Sequence, residues 1–109
     1  MDKTKRIYKK LVRDKIPEII KNNRESFETR ILDDEEFEVE LKKKLVEEAK
    51  EVGLAINEEL LEELADVLEL VKSIADFKNI TFLQIEERRK EKLEKRGGFK
   101  KKLFLEWTN

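Results

Sequence analysis

The chain has no cysteine and no histidine, and its 109 residues include only three glycines and one proline. Without cysteine it can form no disulfide, no thiol nucleophile and no cysteine-based zinc site, and without histidine it lacks the usual general base. Any bound metal would be a hard cation held by oxygen, which means Mg²⁺, Mn²⁺ or Ca²⁺. An apolar N-terminal leader and a long apolar run are also missing, so we expect a cytoplasmic protein without a membrane partner.

Charged residues, chiefly lysine and glutamate, dominate what is present. They make up 47% of the chain, yet the formal net charge is only -1. This balance excludes a polyanion-binding tail, and since no basic stripe is interleaved with aromatic residues, we expect no nucleic-acid partner. Many ion-pairing residues and an absence of cysteine are typical of proteins from thermophiles.

The length of the chain predicts a single domain over residues 1–109 with a thin core. Amphipathic helices of so small a domain leave apolar positions exposed, and a partner subunit would cover them. We therefore expect self-association, as a homodimer or a higher homo-oligomer.

Residue patterns along the chain predict a mainly α fold with a small β element. A short helix is expected to begin near Asp14. A short strand is predicted in FETRIL, in the N-terminal third, because apolar and polar residues alternate there and Thr and Ile suit a strand. A final strand is predicted in FKKKLFLEW, near the C-terminus. Three longer helices are predicted over residues 34–53, 58–77 and 82–96, opened by an acidic cap, by Asn57 and by a Thr-to-Gln capping box.

Carboxylates lie at the edge of the apolar face on both central helices. With about 100° between successive residues, Glu48 borders the apolar stripe of the first helix and Glu51 lies roughly 60° further out. Glu63 and Asp66 repeat this arrangement on the second helix. A short connection favours antiparallel packing, in which the two acid pairs face one another. Carboxylates gathered in this way repel each other unless a cation joins them.

The alternative interpretation is an ordinary helical surface covered with ion pairs. A paired acid on a helix has a basic residue three or four positions away. Glu47 has one on each side and Glu48 has one on its N-terminal side only. Glu51, Glu63 and Asp66 have none. The acids without a helical partner therefore cluster, which favours a divalent-cation site and leaves the alternative open.

The stretches EEAKE and EELAD resemble the E-E-x-x-E…E-x-x-D signature of the all-α nucleoside triphosphate pyrophosphatases, the superfamily that includes MazG. KLVRDKIPEII near the start and RGGF near the end look like a MazG-like subgroup that is often called phosphoribosyl-ATP pyrophosphohydrolase-like. The resemblance spans nearly the whole chain and implies an all-α NTP pyrophosphatase-like helical bundle. A true phosphoribosyl-ATP pyrophosphohydrolase would not be expected to carry the KLVRDKIP block.

The resemblance also implies a reaction, the hydrolysis of a nucleoside triphosphate to a monophosphate and pyrophosphate, which clears non-canonical or surplus nucleotides. Mg²⁺, with Mn²⁺ as a substitute, would neutralise the phosphates and orient a water. Glu47 and Glu48 are the candidate catalytic residues. Carried over residue by residue, the metal ligands are Glu48, Glu51, Glu63 and Asp66.

Basic residues for the outer phosphates are available in two stretches. KKLVRDK contains Lys10, Arg13 and Lys15, and RGGF begins with Arg96. For each of these residues a solvated basic surface is the alternative. For the whole chain, the alternative is a catalytically inactive helical dimer that acts as a regulatory or protein-interaction module.

Overall fold

The computed structural model describes residues 5–109, and all of the regular structure in that range is helical. The prediction of a mainly α chain is confirmed, and the predicted bounds of the three long helices agree with the structure to within one residue. Among the described residues, none of the helices combines the length and the apolar character needed to cross a membrane. The helices are α1 (Ile16–Asn22), α2 (Asp34–Leu54), α3 (Glu58–Phe77) and α4 (Phe82–Arg96).

The predicted β element is wrong. Within residues 5–109 no strand forms, and both FETRIL (27–32) and FKKKLFLEW (99–107) lie outside regular structure. Most of their apolar side chains face water, with Ile31 98% and Leu103 86% exposed. Alternation of apolar and polar residues makes a strand only when a neighbouring strand pairs with it and one of its faces is buried. Neither condition is met here.

The N-terminus of α2 is determined by local side-chain chemistry. Asp33 caps the helix, because its carboxylate accepts a hydrogen bond from the backbone N–H of Glu36 at 2.8 Å. Acidic residues also fill the first turn, where the helix dipole favours negative charge. The helix ends at Leu54, and residues 55–57 connect it to α3.

Helices α2 and α3 fold back on each other within the first of two compact units, the one that ends at Ile74. Glu48 and Glu63 lie at comparable distances from the connection, one before it and one after it, and their carboxylates meet. The two helices therefore run antiparallel here. Within this unit, the buried apolar side chains among the described residues are those of Leu41 and Leu70. The core is correspondingly thin.

The second compact unit is Ala75–Asn109 and contains α4. Its helix begins with the predicted capping box, in which Thr81 Oγ1 accepts from the Gln84 backbone N–H at 3.1 Å and Gln84 Oε1 accepts from the Thr81 backbone N–H at 2.8 Å. Gly97 follows the last turn at φ 80°, a conformation that favours glycine. Nothing observed bears on the predicted single domain over 1–109, which stays a prediction.

Candidate metal centre

Three carboxylates from two helices meet beside the connection between α2 and α3. Glu48 of α2 and Glu63 and Asp66 of α3 each offer one oxygen, and these oxygens lie within 4.8 Å of one another. All three side chains are half-buried. Residues three apart on a helix are neighbours on its surface, so Glu63 and Asp66 project together towards Glu48. We call these three residues the acidic triad.

Crowding in the acidic triad raises the pKa of Glu63 above its ordinary value of 4.5. The largest cause is a hydrogen bond between the side chains of Glu63 and Glu48, which requires one of the two carboxyl groups to be protonated. Lost hydration and the negative charges of Glu48, Glu51 and Asp66 raise the pKa of Glu63 further. The surroundings of Glu63 therefore favour its protonated form more than water does.

Glu51, the fourth predicted ligand, lies outside the acidic triad. Its side chain is exposed. It is close enough for its charge to raise the pKa of Glu63, and it stands three residues after Glu48 on the same helix. The four predicted ligands thus share one region, and three of them lie within reach of a single ion.

Asp66 pairs with a basic residue that lies outside its own helix, α3. Arg13 Nη2 donates a hydrogen bond to Asp66 Oδ1 at 2.7 Å. Asp66 has no basic residue three or four positions away on α3, as the sequence indicates, but it is paired in the fold. The rule of neighbours three or four positions away covers only one helix, whereas Arg13 lies in the segment before α1, 53 positions away in the chain.

Glu47 makes its contact away from the acidic triad. Its Oε2 lies 3.8 Å from Lys10 Nζ, rather than pairing with the lysines of α2 that its helical spacing offers. Both side chains are about half exposed, so this ion pair is weak. Glu47 and Glu48 are consecutive, and consecutive residues point in different directions on a helix.

Two predicted phosphate-binding residues make no ion pair with any described residue. Lys15 occupies the N-cap position of α1 and makes no capping hydrogen bond with its side chain. Arg96 is the last residue of α4, belongs to the second compact unit and is exposed. Of the four predicted cations, Arg13 contacts the acidic triad and Lys10 contacts Glu47.

Sequence reasoning missed the lysines that face Lys10 across a small cavity of about 210 Å³. Lys43 and Lys44 of α2 line this cavity together with residues 8–11 of the N-terminal segment. Helical spacing within α2 assigns its lysines to acids on the same helix. No local pattern would bring the N-terminal segment against them.

The donor set of the acidic triad fits a hard divalent cation. All three ligands are carboxylate oxygens, which Mg²⁺, Mn²⁺ and Ca²⁺ prefer. Two oxygens bound to one Mg²⁺ lie about 3 Å apart when adjacent and about 4 Å apart when opposite, given bonds of about 2.1 Å. The observed 4.8 Å limit is slightly wider, so small side-chain rotations would place the three oxygens on one ion.

Comparison with known proteins gives no relative, since no protein-family profile, no curated protein and no solved structure matches the chain significantly.

Proposed function

We propose that the chain is a cytoplasmic Mg²⁺-dependent nucleoside triphosphate pyrophosphohydrolase that converts NTP to NMP and pyrophosphate. In this proposal it clears non-canonical or surplus nucleotides. The observation that carries the proposal is the acidic triad, whose three half-buried carboxylates come from two helices and lie within 4.8 Å of one another. Their chain order matches the MazG-like signature that EEAKE and EELAD resemble.

An ordinary ion pair with Arg13 accounts for Asp66 but leaves Glu48 and Glu63 unexplained. These two glutamates form no ion pair with any described cation, and the nearness of Glu48 raises the pKa of Glu63. Two carboxylates in contact cost stability when both are ionised, because they repel each other and lose hydration. A divalent cation would convert this cost into a binding energy, which gives a physical reason for the arrangement.

The residues of the chain then take defined roles. Glu48, Glu63 and Asp66 would hold Mg²⁺, which neutralises the charge of the phosphates and orients them. The oxygen of a water attacks the α-phosphorus, the bond from that phosphorus to the α,β-bridging oxygen breaks, and pyrophosphate leaves. Glu47 is engaged with Lys10, so Glu48 is the better placed of the two catalytic candidates to accept the proton of the water.

Arg13 is positioned to serve both the triad and the substrate. Its guanidinium holds Asp66 with one nitrogen at 2.7 Å, and the group has further N–H donors. A planar guanidinium suits phosphate oxygens, so Arg13 would contact a bound nucleotide beside the carboxylates.

The second candidate function is a non-catalytic helical dimer. One surface of the chain favours dimer formation whether or not the protein is an enzyme. Leu61, Leu64 and Leu68 recur at helical spacing on α3 and are 72%, 49% and 50% exposed. An apolar stripe of this kind is covered when two copies associate. We include the homodimer in the proposal. A measurement of nucleotide hydrolysis distinguishes the enzyme from the inactive module.

The deciding experiment measures pyrophosphate release from a panel of canonical and modified nucleoside triphosphates with and without Mg²⁺. The wild type is compared with Glu63→Gln, which alters the triad, and with Glu62→Gln, the same change at the adjacent exposed position. We expect Mg²⁺-dependent release by the wild type and Glu62→Gln and none by Glu63→Gln. No release from any nucleotide would favour the non-catalytic dimer.

A further inference from the structure

A cationic cavity lies beside Glu47, between the N-terminal segment and α2. Its volume is about 210 Å³, and it is lined by residues 8–11 together with side chains of α2 between residues 40 and 47. Four of the lining residues are lysines, two from each side: Lys9 and Lys10, and Lys43 and Lys44. We call this cavity the lysine cavity. Four lysines against two glutamates make the lining positively charged overall, which points to an anionic ligand.

Two of these lysines already have carboxylate partners at the cavity wall. Lys43 Nζ lies 3.4 Å from Glu40 Oε2, and Lys10 Nζ lies 3.8 Å from Glu47 Oε2. Both glutamates line the cavity as well. These two pairs cancel in charge and leave the other two lysines to determine the net charge of the space.

Lys9 and Lys44 are the uncompensated cations. Within the described part of the chain, no carboxylate lies within salt-bridge distance of either one. Lys44 is also half-buried. An anion in the cavity would compensate the charges of both lysines.

The N-terminal segment brings consecutive residues to this space through an uncommon backbone conformation. In a regular extended segment, successive side chains point to opposite sides. Lys9 departs from that geometry, since its φ is 45°, in the left-handed region that lysine rarely adopts. Lys9 and Lys10 both line the lysine cavity. Uncommon backbone conformations of this type concentrate at ligand clamps.

The size and charge of the cavity identify the chemistry of its ligand. Pockets for whole drug-sized ligands usually enclose about 300–1,000 Å³, so this space suits a smaller group. Lysine recognises phosphate as a point charge without demanding one fixed geometry. Glu47 lines the cavity and directly precedes Glu48 of the acidic triad, so α2 contributes residues to both features.

We propose that the lysine cavity binds the pyrophosphate group of a nucleotide, the β- and γ-phosphates of the substrate and then the released product. This inference rests on the proposed function and adds a subsite to it, in which Lys9 and Lys44 supply the net charge. The acidic triad would then lie next to the α-phosphorus, where hydrolysis takes place.

Calorimetric titration of the metal-free protein with inorganic pyrophosphate tests the subsite without any catalysis. We expect Lys44→Met to weaken binding about tenfold, because a charge-assisted contact is lost. Lys50→Met, the same change on an exposed face of the same helix, should bind as the wild type does. Glu40→Gln should strengthen binding, because it frees Lys43 for the ligand. Far-UV circular dichroism checks that each variant remains folded.

The outcomes distinguish failure of the pyrophosphate subsite from failure of the proposed enzymatic activity. A wild type that does not bind pyrophosphate, or equal affinities for Lys44→Met and Lys50→Met, would overturn the subsite even if hydrolysis is observed. Lys44-dependent binding by a protein that hydrolyses no nucleotide would support the anion site and contradict the proposed function. Equal binding of inorganic phosphate and pyrophosphate would also contradict a site for two linked phosphate groups.

Discussion

Arg13 Nη2 donates a hydrogen bond to Asp66 Oδ1 at 2.7 Å and so joins the N-terminal segment to α3 beside the acidic triad. It brings a guanidinium to a cluster of carboxylates from two helices. A divalent cation bound there would share Asp66 with Arg13. The competition between the two positive charges has consequences that can be measured.

Replacing Arg13 by alanine should strengthen metal binding while it weakens hydrolysis. The triad loses a competing charge, so the affinity for Mg²⁺ or Mn²⁺ rises, whereas the nucleotide loses a phosphate contact. The ion pair is about half exposed, so the metal-free protein should lose only about 0.5 kcal/mol of stability. Isothermal titration with Mn²⁺ measures the affinity, and Lys21→Ala on α1 is the control for loss of a positive charge. Weaker metal binding by Arg13→Ala would contradict this account.

The Glu63→Gln change should affect stability and metal response in opposite directions. The amide keeps the shape of the side chain and removes a repelling charge, so the metal-free variant should melt at the same temperature as the wild type or higher. Mg²⁺ at about ten times its Kd should stabilise the wild type by about 1.4 kcal/mol, which raises Tm by several degrees. The variant should not respond, because a neutral amide is a poor ligand for a hard cation.

Thermal melts of the two proteins with and without Mg²⁺ make this measurement, and Glu62→Gln is the matched control. The control should respond to Mg²⁺ as the wild type does. Equal melting temperatures throughout would rule out the metal centre, and a response that persists in Glu63→Gln would place the ion elsewhere.

The raised pKa of Glu63 predicts how the stability of the metal-free protein depends on pH. The folded protein binds the Glu63 proton more tightly than the unfolded chain does, whose carboxyl titrates near 4.5. The contribution of this proton to stability is therefore fully present below 4.5 and is lost as the pH rises through the higher folded pKa. Mg²⁺ must displace the proton, so metal binding should strengthen over the same interval.

This pH dependence has to be measured as a difference between wild type and Glu63→Gln. Glu36 and Glu86 have lowered pKa values, because Arg30 and Arg89 hydrogen-bond to them, and they change stability in the opposite direction. Denaturant unfolding of both proteins, from about pH 4 to pH 8, cancels those shared contributions. The wild type should lose stability relative to the variant as the pH rises. A difference in unfolding free energy that stays constant with pH would contradict the raised pKa of Glu63.

The exposed leucine stripe on α3 should hold two copies together. Leu64 lies at its centre with 49% of its surface exposed, so Leu64→Lys should shift the protein from dimer to monomer. Light scattering across micromolar concentrations measures the mass. Leu54→Lys, at the exposed end of α2, is the control and should remain dimeric. A wild type that is monomeric throughout would contradict self-association.

The helices were predictable because the forces that define them are local. Apolar residues at helical spacing, the Asp33 cap and the reciprocal hydrogen bonds between Thr81 and Gln84 all act within a few positions, so they can be identified without knowledge of the fold. The type of ligand atom in a candidate metal site was equally accessible. A chain without cysteine or histidine has few ligand types besides oxygen.

The tertiary structure alone decided which charges meet. The predicted strands depended on a pairing partner that local alternation cannot supply, and they do not form in residues 5–109. Asp66 appeared unpaired on α3 until the fold brought Arg13 to it across 53 positions. The lysine cavity likewise depends on the N-terminal segment packing against α2. The Coulomb energy of two charges depends on how far apart they lie in space. Their separation along the chain predicts this spatial distance only within a helical turn or two.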